Sequence, residues 1–142
     1  MSGSVPLGQF EILSSFKKQG LAFMDSLIEI FPEQPNLISA RMLFENHLPI
    51  EDIMAKFSTR VLPNIKMIEE RRDKFFLSEE DLFTGSKKDK LFDWAMLWKS
   101  KRLNNDDRIV LWQWIDVFVL LAQQWDANNK KLDNIKKQSG GD

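Results

Sequence analysis

The stretch from Arg108 to Leu121 reads RIVLWQWIDVFVLL, and apolar side chains occupy almost every position of it. A helix on a protein surface normally keeps one polar face, so this segment needs a membrane, the centre of a bundle, or a partner. A membrane span needs about 20 apolar residues. Residues 109–122 form a shorter run that includes Gln113 and Asp116. The pattern favours a central helix that its neighbours surround.

Apolar residues recur at helical spacing through most of the chain, and no segment alternates with the period of a strand. We therefore predict an all-α, single-domain bundle of about six helices in which the last long helix, Ile109 to Trp125, is highly apolar and the most buried. Pro63 either kinks the third helix or separates it from a fourth. Asn105 is the predicted N-cap of the last helix.

The predicted domain organisation has three parts. Residues 1–8 form a flexible N-terminus, residues 9–126 form the helical bundle domain, and residues 127–142 form a polar, basic C-terminal tail. Within the domain, the acidic segment 77–86 has no clear period and is predicted to be a flexible loop.

Composition excludes several kinds of chemistry. The chain of 142 residues carries 20 Lys and Arg against 21 Asp and Glu, so its net charge of -1 gives no overall attraction to nucleic acid or to anionic membranes. It has no Cys, which excludes disulfides, thiolate nucleophiles and cysteine-ligated metals. Its one histidine, His47, precedes a Leu-Pro pair that ends a predicted helix, so we interpret it as a helix-end residue.

Acidic side chains offer the remaining route to catalysis. The carboxylates weighed as ligands for magnesium or calcium are Glu69, Asp73, Glu79, Glu80 and Asp81. They match no calcium-loop spacing and lie beside basic residues, which is typical of solvated helix faces. The segment FTGSKKDK also lacks the glycines of a phosphate-binding loop. We predict no enzymatic activity, no cofactor and no metal.

The aromatic residues suggest a protein–protein interaction. Five Trp in one domain are either all in the core, which the pattern favours, or include one or two on a docking surface. The candidate interaction surface comprises Trp94, Trp98, Trp125, Phe75 and Phe76. The partner would be a viral or host protein or a second copy of the chain, with the acidic loop setting specificity.

Nucleic-acid association is the alternative function, in viral transcription or genome packaging. The candidate contacts for it are Arg71, Arg72, Lys74, Lys130, Lys131, Lys136 and Lys137. Acidic neighbours such as Glu69, Glu70 and Asp73 cancel most of the field around the first three, so nucleic acid is the less favoured partner.

Three segments resemble a known family: SLIEIFPE (residues 26–33), IEERRDKFFLSEEDLF (68–83) and LWKSKRLNNDDRIVLWQWIDVFVLLAQQW (97–125). Their order is similar to that in small, uncharacterised, all-helical proteins of nucleocytoplasmic large DNA viruses of algae and amoebae. The resemblance covers roughly residues 16–126. One departure is Lys74, where that family would place an acidic residue. The shared motifs are packing motifs, so they imply a viral origin but no reaction.

The expected location follows from the resemblance and from the N-terminus. The first residues, MSGSVPLGQF, contain neither the basic segment nor the long apolar run of a signal peptide. We expect no secretion and no transmembrane segment. The predicted function is that of a non-enzymatic interaction protein, either a minor virion component or an adaptor in the host cytoplasm or viral factory.

Overall fold

The computed structural model describes residues 4–78, 81, 83 and 93–140, and these residues contain helices and no strand. Five helices are longer than one turn: α1 (Ser4–Ile30), α2 (Pro35–Asn46), α3 (Ile50–Val61), α4 (Trp94–Lys99) and α5 (Asn105–Gly140). Between α3 and α4 lie a 3-10 turn (Leu62–Asn64), a single helical turn (Ile65–Glu69) and a second 3-10 turn (Asp73–Phe75). The predicted all-α class is confirmed.

Local chemistry accounts for where α5 begins. The Asn104 side-chain oxygen accepts a hydrogen bond from the Asp107 backbone N–H at 2.8 Å, and the Asp107 carboxylate accepts one from the Asn104 N–H at 3.2 Å. This reciprocal arrangement satisfies two backbone donors, as a capping box does. The predicted N-cap, Asn105, is therefore wrong by one residue, because Asn105 is the first residue inside the helix.

α1 and α5 pack against each other and run antiparallel. Gln9, near the start of α1, donates a hydrogen bond to the Trp125 carbonyl oxygen at 3.4 Å. Further along α1, the Phe23 ring lies 5.8 Å from the earlier Trp114 ring of α5. The start of α1 therefore lies beside a later part of α5, and the two helices run in opposite directions. α2 and α3 pack against α1, and α3 also packs against α5.

A cluster of phenylalanines fills the space between these helices. Phe16 of α1 has its ring centroid 5.5 Å from Phe57 of α3 and 5.8 Å from Phe118 of α5. Phe83 is fully buried in the same cluster, 5.6 Å from Phe44 and 5.8 Å from Phe118. Offset and edge-to-face pairs of this kind contribute about 0.5–1.5 kcal/mol each beyond the area they bury.

The burial of Phe83 corrects part of the predicted loop. Segment 77–86 was expected to be flexible, yet both Asp81 and Phe83 are buried, and the Asp81 carboxylate accepts a hydrogen bond from the Phe83 N–H at 2.8 Å. The Phe83 ring packs against Phe44 and Phe118 and is therefore part of the core. Residues 79, 80, 82 and 84–86 of that predicted loop lie outside the described residues.

Other predicted boundaries also differ from the observed ones. α1 begins at Ser4, inside the segment predicted as a flexible N-terminus, and α5 continues through the predicted tail to Gly140. The predicted fourth helix is only the turn Ile65–Glu69, because the 3-10 turn containing Pro63 precedes it and Arg71 follows with a φ of 55°. A positive φ is incompatible with a right-handed helix.

Candidate interaction surface

α5 has one buried face and one exposed face, and this corrects the prediction of a helix surrounded on all sides. The buried face consists of Leu111, Trp112, Ile115, Phe118, Val119 and Ala122. On the opposite face Val110, Val117 and Leu120 are exposed by 43%, 40% and 54% of their surface. Among the residues that the structure describes, the bundle covers one side of this helix, and an apolar surface remains on the other side.

The exposed face follows a regular spacing. Alternating steps of four and three residues connect Asp106, Val110, Gln113, Val117, Leu120, Gln124, Ala127 and Lys131, all of which are exposed. We call these eight residues the outer seam. Positions repeated at this spacing lie on one face of a helix, as in a coiled coil. The outer seam carries no charge between its two ends, Asp106 and Lys131.

One flank of the outer seam is aromatic. Trp114 is partly buried, and its ring stacks on Phe118 with centroids 6.1 Å apart and an angle of 23° between the planes. Trp114 and Gln19 of α1 line a shallow depression together with Val110, Gln113 and Val117 of α5. This depression gives the apolar face a concave edge along α1.

An ion pair between Arg71 and Asp116 lies along the other flank of the outer seam. Two nitrogens of the Arg71 guanidinium donate hydrogen bonds to the Asp116 carboxylate at 2.7 and 2.6 Å. These hydrogen bonds raise the pKa of Arg71 above its ordinary value. The same guanidinium lies 5.4 Å from the centroid of the Trp112 ring. Asp116 is exposed, and its carboxylate accepts both hydrogen bonds from Arg71.

The predicted aromatic interaction surface is mostly core. Phe75, Phe76, Trp94 and Trp98 are each at most 3% exposed, so they offer no surface to a partner. Phe76 stacks on Trp98 with ring centroids 4.2 Å apart. Only Trp125 of the predicted set is partly exposed. The interpretation of the tryptophans as core residues therefore holds for Trp94 and Trp98, because the segment after Arg72 folds back over α4.

Two arginines lie at the edge of the aromatic cluster formed by Phe75, Phe76, Trp94 and Trp98. Arg60 lies 4.7 Å from the Phe75 ring and donates a hydrogen bond to the Phe75 carbonyl at 2.9 Å. Arg108 lies 5.3 Å from the Trp98 ring and donates to the Trp98 carbonyl at 3.1 Å. The cation–π contacts and the hydrogen bonds to the carbonyls hold Phe75 and Trp98 in place. These two arginines therefore have a structural role.

The two arginines among the candidate nucleic-acid contacts already form ion pairs with acidic residues of the chain. Arg71 is bound to Asp116, and Arg72 lies 3.0 Å from the Glu70 carboxylate. Lys130 pairs with Asp126 at 3.1 Å. The remaining candidates are exposed lysines: Lys74, Lys131, Lys136 and Lys137. The structure thus does not bring the predicted basic residues together into one patch, since three of the seven are neutralised locally.

Glu69, Asp73 and Asp81, three of the acidic residues considered as metal ligands, are described by the structure and do not form a metal-binding group. Among the described residues, no group of three or more His, Asp or Glu side chains could hold a metal ion. Glu79 and Glu80 lie outside that part of the chain, as do the basic residues Lys87, Lys88 and Lys90.

The spacing of the outer seam is visible in the sequence, but it does not show which face of α5 is exposed. Val110, Gln113, Val117 and Leu120 repeat at three- and four-residue steps inside the opening stretch. Leu111, Ile115, Phe118 and Ala122 repeat at the same steps, so the apolar pattern alone does not distinguish the two faces.

Comparison with known proteins adds nothing to this site. No protein-family model, no curated protein and no solved structure matches the chain. In the described part of the chain, no helix is both long enough and apolar enough to cross a membrane.

Proposed function

We propose that the protein is a non-enzymatic interaction module that binds a helix of a protein partner along the outer seam. One observation carries the proposal: Val110, Val117 and Leu120 are exposed on the face of α5 that points away from the core. Burying a fully exposed aliphatic side chain of this size contributes about 1.5–3 kcal/mol. Because these three side chains are 40–54% exposed, complete burial of each would contribute about half of that. A stripe of three such residues therefore favours association.

The geometry of the outer seam suits a helix as the partner. Its four-three spacing is the one at which side chains of two helices interdigitate as knobs into holes. From Asp106 to Lys131 the seam extends for about 38 Å at a rise of 1.5 Å per residue. Gln113 and Gln124 interrupt its apolar residues with amides, and polar groups within such a seam set register and partner choice.

A second exposed apolar group, on α2, provides a useful comparison. Ile38 and Met42 are 48% and 58% exposed, but they lie beside an ionic network in which Arg41 contacts Asp25 at 2.6 Å and Glu45 at 2.7 Å. Scattered apolar residues among charges are ordinary on a protein surface. The outer seam differs because it is continuous and uncharged over two heptads.

The biological setting of this module is proposed from the resemblance described above. We propose that it acts as a minor virion component or cytoplasmic adaptor of a large DNA virus. The nucleic-acid alternative has less support, because Arg71 and Arg72 already bind Asp116 and Glu70.

Capture of partners from infected cells tests the proposal. The tagged full chain and its Leu120→Glu variant are purified with and without nuclease, and bound proteins are identified by mass spectrometry. Met42→Glu is the matched control, since it places the same charge at an exposed apolar position outside the seam. We expect partners that resist nuclease, persist with Met42→Glu and are lost with Leu120→Glu. Partners that vanish with nuclease, or that bind the Leu120→Glu variant equally well, would overturn the proposal.

A further inference from the structure

The two halves of the outer seam match each other in chemistry. Counting outward from the midpoint between Val117 and Leu120, the next pair is Gln113 and Gln124. The pair after that is Val110 and Ala127, and the outermost pair is Asp106 and Lys131. Each position thus has a counterpart of compatible chemistry: aliphatic with aliphatic, amide with amide, and acid with base.

The matched pairs contact each other only if two copies of the outer seam pack together. In a two-fold symmetric interface, residue i of one copy contacts residue j of the other, and residue j contacts residue i. We propose that the outer seam binds a second copy of this chain, with the two α5 helices antiparallel and the two-fold axis between Val117 and Leu120. The inference rests on the proposed function, because it names the partner of the same surface.

The antiparallel arrangement satisfies every matched pair at once. Val117 of each copy packs on Leu120 of the other, and Val110 packs on Ala127. The side-chain amides of Gln113 and Gln124 donate to and accept from each other, so neither is buried without a partner. At each end Asp106 lies beside Lys131 of the second copy, and both of these side chains are exposed in the single chain.

A parallel pair of the same helices would be disfavoured. Each seam residue would then lie beside its own copy, so Asp106 would face Asp106 and Lys131 would face Lys131. Like charges placed together oppose association, whereas opposite charges favour it and fix the register. Charge complementarity therefore selects the antiparallel dimer.

The flanks of the seam are compatible with a helix lying alongside. Ile109 is 55% exposed, and Trp114 and Leu121 are partly buried, so each adds apolar area at the edge of the contact. Asp116, on the same side as Ile109, is already paired with Arg71 and brings no uncompensated charge to the interface.

Sedimentation equilibrium of the purified full chain is the first test. We expect a mass of about twice the 16.7 kDa of one chain at high concentration, with dissociation on dilution. Leu120→Glu places two carboxylates in the centre of the interface and should weaken association at least about tenfold, which corresponds to 1.4 kcal/mol. Met42→Glu should dimerise like the wild type. Circular dichroism verifies that both variants are folded.

Cysteine cross-linking tests the register, and the absence of Cys from the chain makes it free of background. In the antiparallel dimer, position 110 of one copy lies beside position 127 of the other. The two copies of position 110 are about 26 Å apart, too far for a disulfide. A mixture of Val110→Cys and Ala127→Cys should therefore form a disulfide on mild oxidation, and Val110→Cys alone should not. Cross-linking of Val110→Cys alone would overturn the antiparallel arrangement.

Charge reversal provides an independent readout. Asp106→Lys places two lysines together at each end of the dimer and should weaken it, and adding Lys131→Asp should restore the wild-type affinity. A dimer that is indifferent to Asp106→Lys, or that the second reversal does not rescue, contradicts the proposed register. The rescue also controls for the effect of Asp106 on the helix dipole, which Lys131→Asp does not repair.

The failure of self-pairing is distinguishable from the failure of the proposed function. A wild-type chain that stays monomeric at all concentrations, while capture of another protein still depends on Leu120, overturns the dimer and leaves the docking surface standing. A monomeric chain whose partners ignore Leu120→Glu overturns both.

Discussion

At the scale of single residues, Gly20 shows how closely α1 approaches α2. A Cβ atom placed on Gly20 would lie 2.6 Å from the Cζ atom of Phe44, whose ring is fully buried. The helix α1 by itself would be more stable with alanine at this position by about 1 kcal/mol. Glycine is favoured here because of its contact with Phe44, which lies in another helix.

Gly20→Ala should lower the free energy of unfolding by about 1 kcal/mol. Overpacking a filled core costs about 1–3 kcal/mol, and the higher helix propensity of alanine offsets about 1 kcal/mol of that. Urea denaturation measures the difference. In a Phe44→Leu background, which makes room for the methyl group, the same substitution should be neutral or stabilising. An equal cost in both backgrounds would show that the Phe44 ring is not the cause.

At the scale of a secondary-structure element, α5 is defined by local signals at its start and by distant contacts along its length. Asn104 and Asp107 satisfy each other's backbone N–H groups, and this requires only neighbouring residues. The identity of the buried face depends instead on α1 and α3, which lie against Phe118. The start of the helix was therefore predictable to within one residue, and its exposed face was not.

Asn104→Ala should destabilise the protein by about 1 kcal/mol, because an N-cap side chain is lost. Asn105→Ala is the matched control. This residue has the same side chain but lies inside the helix, one position after the residue that makes the capping hydrogen bonds, so we expect little change. Thermal unfolding followed by circular dichroism gives both values. Equal losses from the two substitutions would contradict the observed cap.

At the scale of the whole molecule, no element in the described part of the chain covers the outer seam of α5. A ligand that binds only the folded state stabilises it by mass action, and a second copy of the chain acts in the same way. Stability should therefore depend on protein concentration if the outer seam pairs with itself.

The melting temperature of the wild type should rise with concentration. A partner at about one hundred times its dissociation constant adds about 2.7 kcal/mol, and each kcal/mol raises the melting temperature of a domain of this size by about 4 °C. Calorimetry at several concentrations measures the rise. Leu120→Glu should melt at one temperature throughout, and a wild type that does the same would contradict self-association.

The sequence by itself determined the all-α class and, to within one residue, the place where α5 starts. Each of these depends on backbone hydrogen bonding and on side chains within a few residues, which the order of residues specifies directly. Only the tertiary structure decided that Phe83 enters the core, that Trp94 and Trp98 are buried, and that Val117 and Leu120 are exposed. An apolar residue is equally suited to a core or to an interface, and only the placement of distant helices distinguishes the two.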